Sequence, residues 1–324
     1  MEKSDFMEKT EKKNTSKKDM ESLFPSTPPW IQKFIFKALN VEFITAKHDK
    51  DNLELTICKV KGNKPRPAMP LDFGLELGVP ELPIIAAIFA RMGYIVFSTR
   101  STLEVAHIEV DSYFGALDYM WEHCDFVDKR MTIPIGVSSG GSLALGMAAD
   151  PCASAYSVIG AIGLSPYHDL VEMYPYMREC VNDNNYQKDY PYEFEVLDLY
   201  KGYAEKNMMD FDANGTPIVK AEYEAASPKN FIKDINGKIL LVHGKADKIV
   251  PVEQAVKNYE LAKSLGKDVR LKIVPGKSVH TPPNKMLNLT NLIGEIKAAV
   301  EIWRFLDRIK REVYLENYDG RPTY

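Results

Sequence analysis

Three residues in this chain are of the types that together make and break acyl bonds. Ser138 lies in Gly136-Val137-Ser138-Ser139-Gly140-Gly141, Asp247 in Lys245-Ala246-Asp247-Lys248-Ile249-Val250-Pro251, and His280 closes Pro275-Gly276-Lys277-Ser278-Val279-His280. A serine hydroxyl is a weak nucleophile at neutral pH and needs a base within hydrogen-bonding reach. Imidazole suits that task, since it can take the proton and return it to a leaving group. A carboxylate on the far ring nitrogen fixes the tautomer and stabilises the imidazolium. Of the six histidines (His48, His107, His123, His168, His243 and His280), only His280 lies beyond Asp247. His243 precedes a tight turn and reads as structural.

The elements around these residues must bring them together. An apolar run, Met131 to Ile135, precedes the serine turn, and small and apolar residues from Ser142 to Ala149 follow it. That is strand, sharp turn and helix, the context a G-x-S-x-G turn requires. Gly136 and Gly140 remove side chains that would collide across the turn. Gly141 and Gly146 are expected to let the helix lie close to the strand. The helix N-terminus points its free N–H groups at the serine, where negative charge develops in acyl transfer. Lys238 to Gly244 reads as a buried parallel strand with Asp247 just beyond it. A helix over Val252 to Gly266 and a strand over Asp268 to Val274 lead to His280. Each candidate follows the carboxyl end of a strand, the edge where open α/β sheets place their chemistry.

The segment from Ala226-Ser227-Pro228 to His280, with its LLVHGKADKIVP core, resembles the C-terminal half of an α/β-hydrolase. It is most similar to the prolyl-oligopeptidase-like and dienelactone-hydrolase-like branches. By order of elements the resemblance spans about Val41 to Leu306, and it is specific at Gly136–Gly141, His243–Pro251 and Gly276–His280. It implies an α/β-hydrolase fold, a mostly parallel sheet with helices on both faces and an inserted cap. It also implies Ser138 as nucleophile, His280 as general base and acid, Asp247 as its orienting group and the Ser139 N–H as an oxyanion donor. Dienelactone hydrolases use cysteine, so the serine moves the resemblance toward esterases.

One part of that pattern is missing. Where a strand ending in His-Gly-Gly would supply the second oxyanion donor, the chain reads Pro65-Arg66-Pro67-Ala68-Met69-Pro70-Leu71-Asp72-Phe73-Gly74. Three prolines in six residues argue against a well-paired central strand. A backbone N–H of Phe73 or Gly74 still serves as a donor, whereas an Asp72 carboxylate aimed into the site would oppose the oxyanion. The alternative is that Asp72 faces solvent in a loop.

Composition bounds the rest. The 324 residues, 45% hydrophobic, fit one large α/β domain with an insertion, with two domains the alternative on length alone. A net charge of −4 gives no footing for nucleic-acid binding. Cys58, Cys124, Cys152 and Cys180 are widely spaced and read as reduced thiols. No membrane span or secretory signal is read, and no cofactor or metal is implied, so a cytoplasmic protein is expected. Residues 1–29 read as a disordered tail and 30–324 as the hydrolase domain, with the cap at about 165–230.

Trp30 to Leu39 is expected to be an amphipathic helix with Trp30, Ile31, Phe34, Ile35 and Leu39 on one side, packed on the body. Val41–Lys47 and Leu53–Val60 read as an edge hairpin, Asp111–Cys124 as a helix and Val158–Leu164 as a strand. Ile296–Ile309 reads as a closing helix, with Val300, Trp303 and Leu306, and also Phe305 and Ile309, as core contacts. From Ser165 to about Lys229 the periodicity breaks down, tyrosines crowd the segment, and Asn182-Asp183-Asn184-Asn185 marks a loop.

Three functions follow. The first is a serine hydrolase acting on carboxylic esters. The second is a small-peptide exopeptidase of prolyl-oligopeptidase type, weakened because about forty residues before the first strand leave no room for a propeller. The third is a catalytically weak binding protein that keeps the fold. The partner is accordingly a small ester or short peptide, and a sheet edge or the insertion offers a surface for a homodimer.

Overall fold

The computed structural model describes residues 28–48, 53–73, 82–100, 106–212, 217–281 and 288–315. Nearly all of the expected tail and Gly74 lie outside them. In chain order the elements are α1 Pro29–Leu39, β1 Val41–His48, β2 Leu53–Val60, β3 Arg66–Asp72, α2 Leu82–Arg91, β4 Ile95–Arg100, α3 Ala106–His123, β5 Val127–Thr132, β6 Ile135–Val137 and α4 Ser139–Ala149. Then come β7 Gly160–Leu164, α5 Leu170–Asn182, α6 Asn184–Asp189, α7 Pro191–Asn207, β8 Met209–Phe211, β9 Pro217–Val219, α8 Ala221–Ala225 and α9 Pro228–Phe231. The last four helices and strands are β10 Lys238–Gly244, α10 Val252–Ser264, β11 Val269–Val274 and α11 Leu289–Leu315.

One sheet runs β1-β2-β4-β3-β6-β7-β10-β11, with β5 paired to β3. Within this sheet the β1–β2 hairpin and the β2–β4 pair are antiparallel and the other pairs are parallel, while β8 and β9 form a separate antiparallel pair. Central strands bury both faces, so they read as continuous apolar runs. In β10, Ile239 and Leu241 pack on one face with α3, α4 and α10, while Leu240 and Val242 pack on the other with α2 and α11. The sheet is therefore sandwiched between helices, as expected.

The proline-rich stretch is a correction. It forms β3, a central strand whose residues from Pro67 to Leu71 are buried. Proline lacks an N–H but keeps its carbonyl and an extended-compatible φ. The register shifts between Pro67 and Ala68, and there the carbonyl of Ala68 accepts from the N–H of Ile133 at 3.1 Å. A bulge is where a missing ladder donor matters least. The run expected as one strand before Ser138 is instead two, β5 and β6, interrupted at Pro134.

The insertion between β7 and β10 is helical where the periodicity appeared to fail. The expected loop at Asn182–Asn185 is the junction of two helices, with Asp183 accepting from the N–H of Asn185 at 2.8 Å as the cap of α6. Pro175 inside α5 and tyrosines bonded on several sides disguised the pattern. The hydroxyl of Tyr174 donates to Glu205 at 2.8 Å, and those of Tyr176 and Tyr186 donate to the carbonyl of Lys248 at 2.7 and 2.6 Å.

Two terminal helices place their faces differently from the expectation. In α1, Trp30 and Phe34 are exposed, while Phe36 and Leu39 pack on the core. In α11, Val300 and Trp303 are exposed against expectation, whereas Phe305, Leu306 and Ile309 are buried as expected, together with Ala298 and Ile302. Both helices carry apolar residues on more than one side, so the pattern alone did not say which side the sheet would claim.

Candidate active site

The turn from β6 into α4 holds Ser138 at φ 57° and ψ −123°. A non-glycine residue at positive φ is strained, and that strain persists only where the surroundings impose it. Here the N–H of Ser138 donates to the carbonyl of Leu164 on β7 at 2.8 Å. A Cβ on Gly136 would fall inside the Gly140 carbonyl group, and one on Gly140 would stand 2.6 Å from the backbone oxygen of Asp72. The Cβ of a substituted Gly141 would approach the backbone of Leu164 at 3.2 Å, so this glycine does seat α4 on the sheet. Gly146 does not. A Cβ added there would meet the side chains of Val110 and Phe231 at 3.7 and 3.8 Å and no backbone, and the residue lines a cavity.

Asp247 and His280 meet beyond β10 and β11. The Nδ1 of His280 stands 2.6 Å from Oδ2 of Asp247, and both residues are buried. Oδ1 of Asp247 accepts from the N–H groups of Ile249 and Val250 at 2.9 and 3.1 Å, which locks the carboxylate in place. Burial alone would raise its pKa. The charge of His280, the hydrogen bond of His243 and that of His280 outweigh burial and hold the carboxyl below the usual range. His243 is fully buried, with Nε2 2.8 Å from the carbonyl of Val250 and 3.4 Å from Oδ2 of Asp247. It supports the Asp247 turn, in keeping with its structural reading.

The other residues gathered here had weaker signals. Asp72 does not face solvent in a loop: it ends β3 opposite Gly136, and its Oδ2 accepts from the hydroxyl of Tyr113 at 2.9 Å. Phe73 follows and packs on the core. Ser139 opens α4, where the first N–H groups of a helix have no intrahelical acceptor. Next to Ser138 and Ser139 lies a cavity of about 520 Å³, roofed by α5 and α7 of the insertion. Of the tyrosines crowding the insertion, Tyr167, Tyr200 and Tyr203 line it. Burial pushes the Tyr200 phenol up to about 12, Asp72 adds to the rise, and the hydroxyls of Ser138 and Ser139 oppose it. The spacing Leu197, Tyr200, Ala204 was the signal for that face, one stripe at helical period.

Residues 194–288 match the prolyl oligopeptidase family. Acylaminoacyl peptidase from Pyrococcus horikoshii superposes with a TM-score of 0.58 at 13% identity, covering 90% of this chain and 45% of that one. An esterase from Pyrococcus furiosus gives 0.57 at 16% identity, covering 84% of this chain and 92% of the other. A thermophilic esterase from the planctomycete Thermogutta terrifontis gives 0.52 at 21% identity, covering 87% and 95%. The fold is that of the α/β-hydrolases. This chain spans less than half the length of the acylaminoacyl peptidases, with 41% of another such enzyme covered. No curated protein matches the chain.

Within this fold the insertion grips the two loops that carry Asp247 and His280. The tyrosine bonds to Lys248 hold the first. The second is held by Lys277, three residues before His280, whose ammonium pairs with the buried carboxylate of Glu193 on α7. Sequence reading missed this pair because its members are 84 residues apart. Among the described residues no helix is long and apolar enough to cross a membrane.

Proposed function

We propose that the chain is a serine hydrolase acting on carboxylic esters, with Ser138 as nucleophile, His280 as general base and acid, and Asp247 as the residue that orients His280. The observation that carries this reading is the buried Asp247–His280 contact of 2.6 Å at the sheet edge where Ser138 stands in its strained turn. With Asp247 on Nδ1, Nε2 of His280 is the nitrogen left to take the Ser138 proton. The serine oxygen then bonds to the ester carbonyl carbon, and the oxyanion is met by the N–H of Ser139, with Phe73 or Gly74 as second donor. The alcohol leaves with the proton returned by His280. Water repeats the sequence on the acyl-enzyme, releasing the acid. Segment 165–230 serves as a cap over the reaction site.

Fluorophosphonate labelling read by intact mass tests this. One stoichiometric adduct on the wild type and none on Ser138→Ala is the expected result, and an unlabelled but folded wild type overturns it. A peptidase reading draws on the prolyl oligopeptidase match over residues 194–288. Aminoacyl amides run beside esters in one panel separate the two.

A further inference from the structure

The cavity beside Ser138 has a direction. Its floor is a single face of α4: Ser139, Ser142, Leu143, Gly146, Ala149 and then Asp150. These positions recur at three- and four-residue steps, so they line the whole length of the helix from its N-terminus to its end. At a rise of 1.5 Å per residue, Asp150 lies about 18 Å from Ser138 and Gly146 about 12 Å. The roof is equally regular, with Met173 and Met177 from α5 and Leu197 and Ala204 from α7. Methionine walls adapt to flexible apolar ligands. The middle of the cavity therefore offers an apolar passage, with the Ser138, Ser139 and Ser142 side chains at its near end. A peptide would have to leave its backbone N–H and C=O groups unpaired along that passage, at a cost an alkyl chain does not incur.

We propose that this cavity holds one unbranched alkyl chain of the ester, laid along α4 from Ser138 toward Asp150, with Gly146 setting how far it reaches. The inference rests on the hydrolase reading above and names its substrate class: monoesters with a medium to long apolar chain. An extended chain advances about 1.3 Å per carbon, so roughly nine carbons reach Gly146. At Gly146 the walls close to the side chains of Val110 and Phe231, and a residue with a side chain there would grow between them. The distal end is lined by Asp111, Asp150 and Asp234, so a terminal carboxylate on the chain is disfavoured.

The test uses p-nitrophenyl alkanoates from two to sixteen carbons, which lengthen the acyl side, and alkyl acetates, which lengthen the alcohol side. In the series that occupies the cavity, kcat/KM is expected to rise about fourfold per methylene up to about ten carbons. Gly146→Phe should lower the ratio of decanoate to butyrate turnover, or of the corresponding acetates, by more than about tenfold. Ala204→Leu, plugging from the roof, should do the same if Gly146→Phe does not fold. A profile that falls beyond four carbons in both series, on enzyme that labels with fluorophosphonate, overturns this inference and leaves the hydrolase reading standing. Calorimetric titration of Ser138→Ala with 1-decanol needs no catalysis. Binding abolished by Gly146→Phe supports the proposal, and no binding to Ser138→Ala overturns it even if the hydrolase reading has failed.

Discussion

The Glu193–Lys277 pair ties the insertion to the loop that carries His280, and breaking it should loosen both. Glu193 is only 1% exposed, and the Lys277 side chain is 13% exposed. Removing one member of a fully buried pair costs about 3–5 kcal/mol, because the other charge is left without compensation. Lys277 keeps some solvent, and its ammonium lies 5.6 Å from the centre of the Tyr190 ring, so Glu193→Leu should cost about 2–3 kcal/mol. Lys277→Met should cost a similar amount, since it leaves Glu193 buried and unpaired. Glu193→Leu with Lys277→Met removes both charges and should recover much of the loss. Urea denaturation gives the four stabilities, with midpoints converted through m. The coupling read from the cycle should be at least about 2 kcal/mol. The same variants should slow fluorophosphonate labelling of Ser138, with the double variant partly restored. A coupling below about 0.5 kcal/mol would show that the two residues act independently and would refute the reasoning.

Further outcomes follow from the site. On the proposed roles, Asp247→Asn should reduce kcat by about 10⁴ without abolishing substrate binding. Because the folded carboxyl titrates below its unfolded value, its stabilising contribution should be complete above about pH 4 and be lost as the pH falls further. Denaturation of wild type and Asp247→Asn from pH 7 to pH 3 checks that sign; a gap that widens toward low pH refutes it. Gly146→Ala should raise stability by about 0.5–1 kcal/mol, as a helix-interior glycine whose added Cβ would make only ordinary contacts with Val110 and Phe231. Gly136→Ala should prevent folding or sharply destabilise, because its Cβ has no room beside Gly140. Comparable melting temperatures for the two would contradict the geometry of the turn. Tyr200→Phe should leave the shape of the pH profile of ester turnover unchanged up to about pH 10, because burial pushes the phenol up to about 12 and keeps it neutral there, and a lost alkaline limb in the variant would refute this.

The residues with local signatures were legible before any coordinate. The Gly-x-Ser-x-Gly turn and the buried run of β10 depend on neighbours within a few positions, and the fold class on the order in which such local signals follow one another along the chain. A tight turn shows because only glycine fits it, and a strand buried on both faces shows as unbroken apolar residues. What tertiary structure decided lies where one sequence pattern suits two environments. The prolines of β3 fit a loop as well as a strand, until the bulge at Pro67 and Ala68 assigned them a place in the sheet. Trp303 and Phe305 are both aromatic residues on α11, and only the position of the sheet buries one and exposes the other. Gly146 and Gly141 are the same residue in one helix, yet one faces the β7 backbone and the other the cavity. Tyr200 stands beside Ser138, and Glu193 reaches Lys277, because α7 folds back over the sheet edge. Contacts between residues distant in the chain leave no periodic trace in it, since each side chain need only suit its own helix.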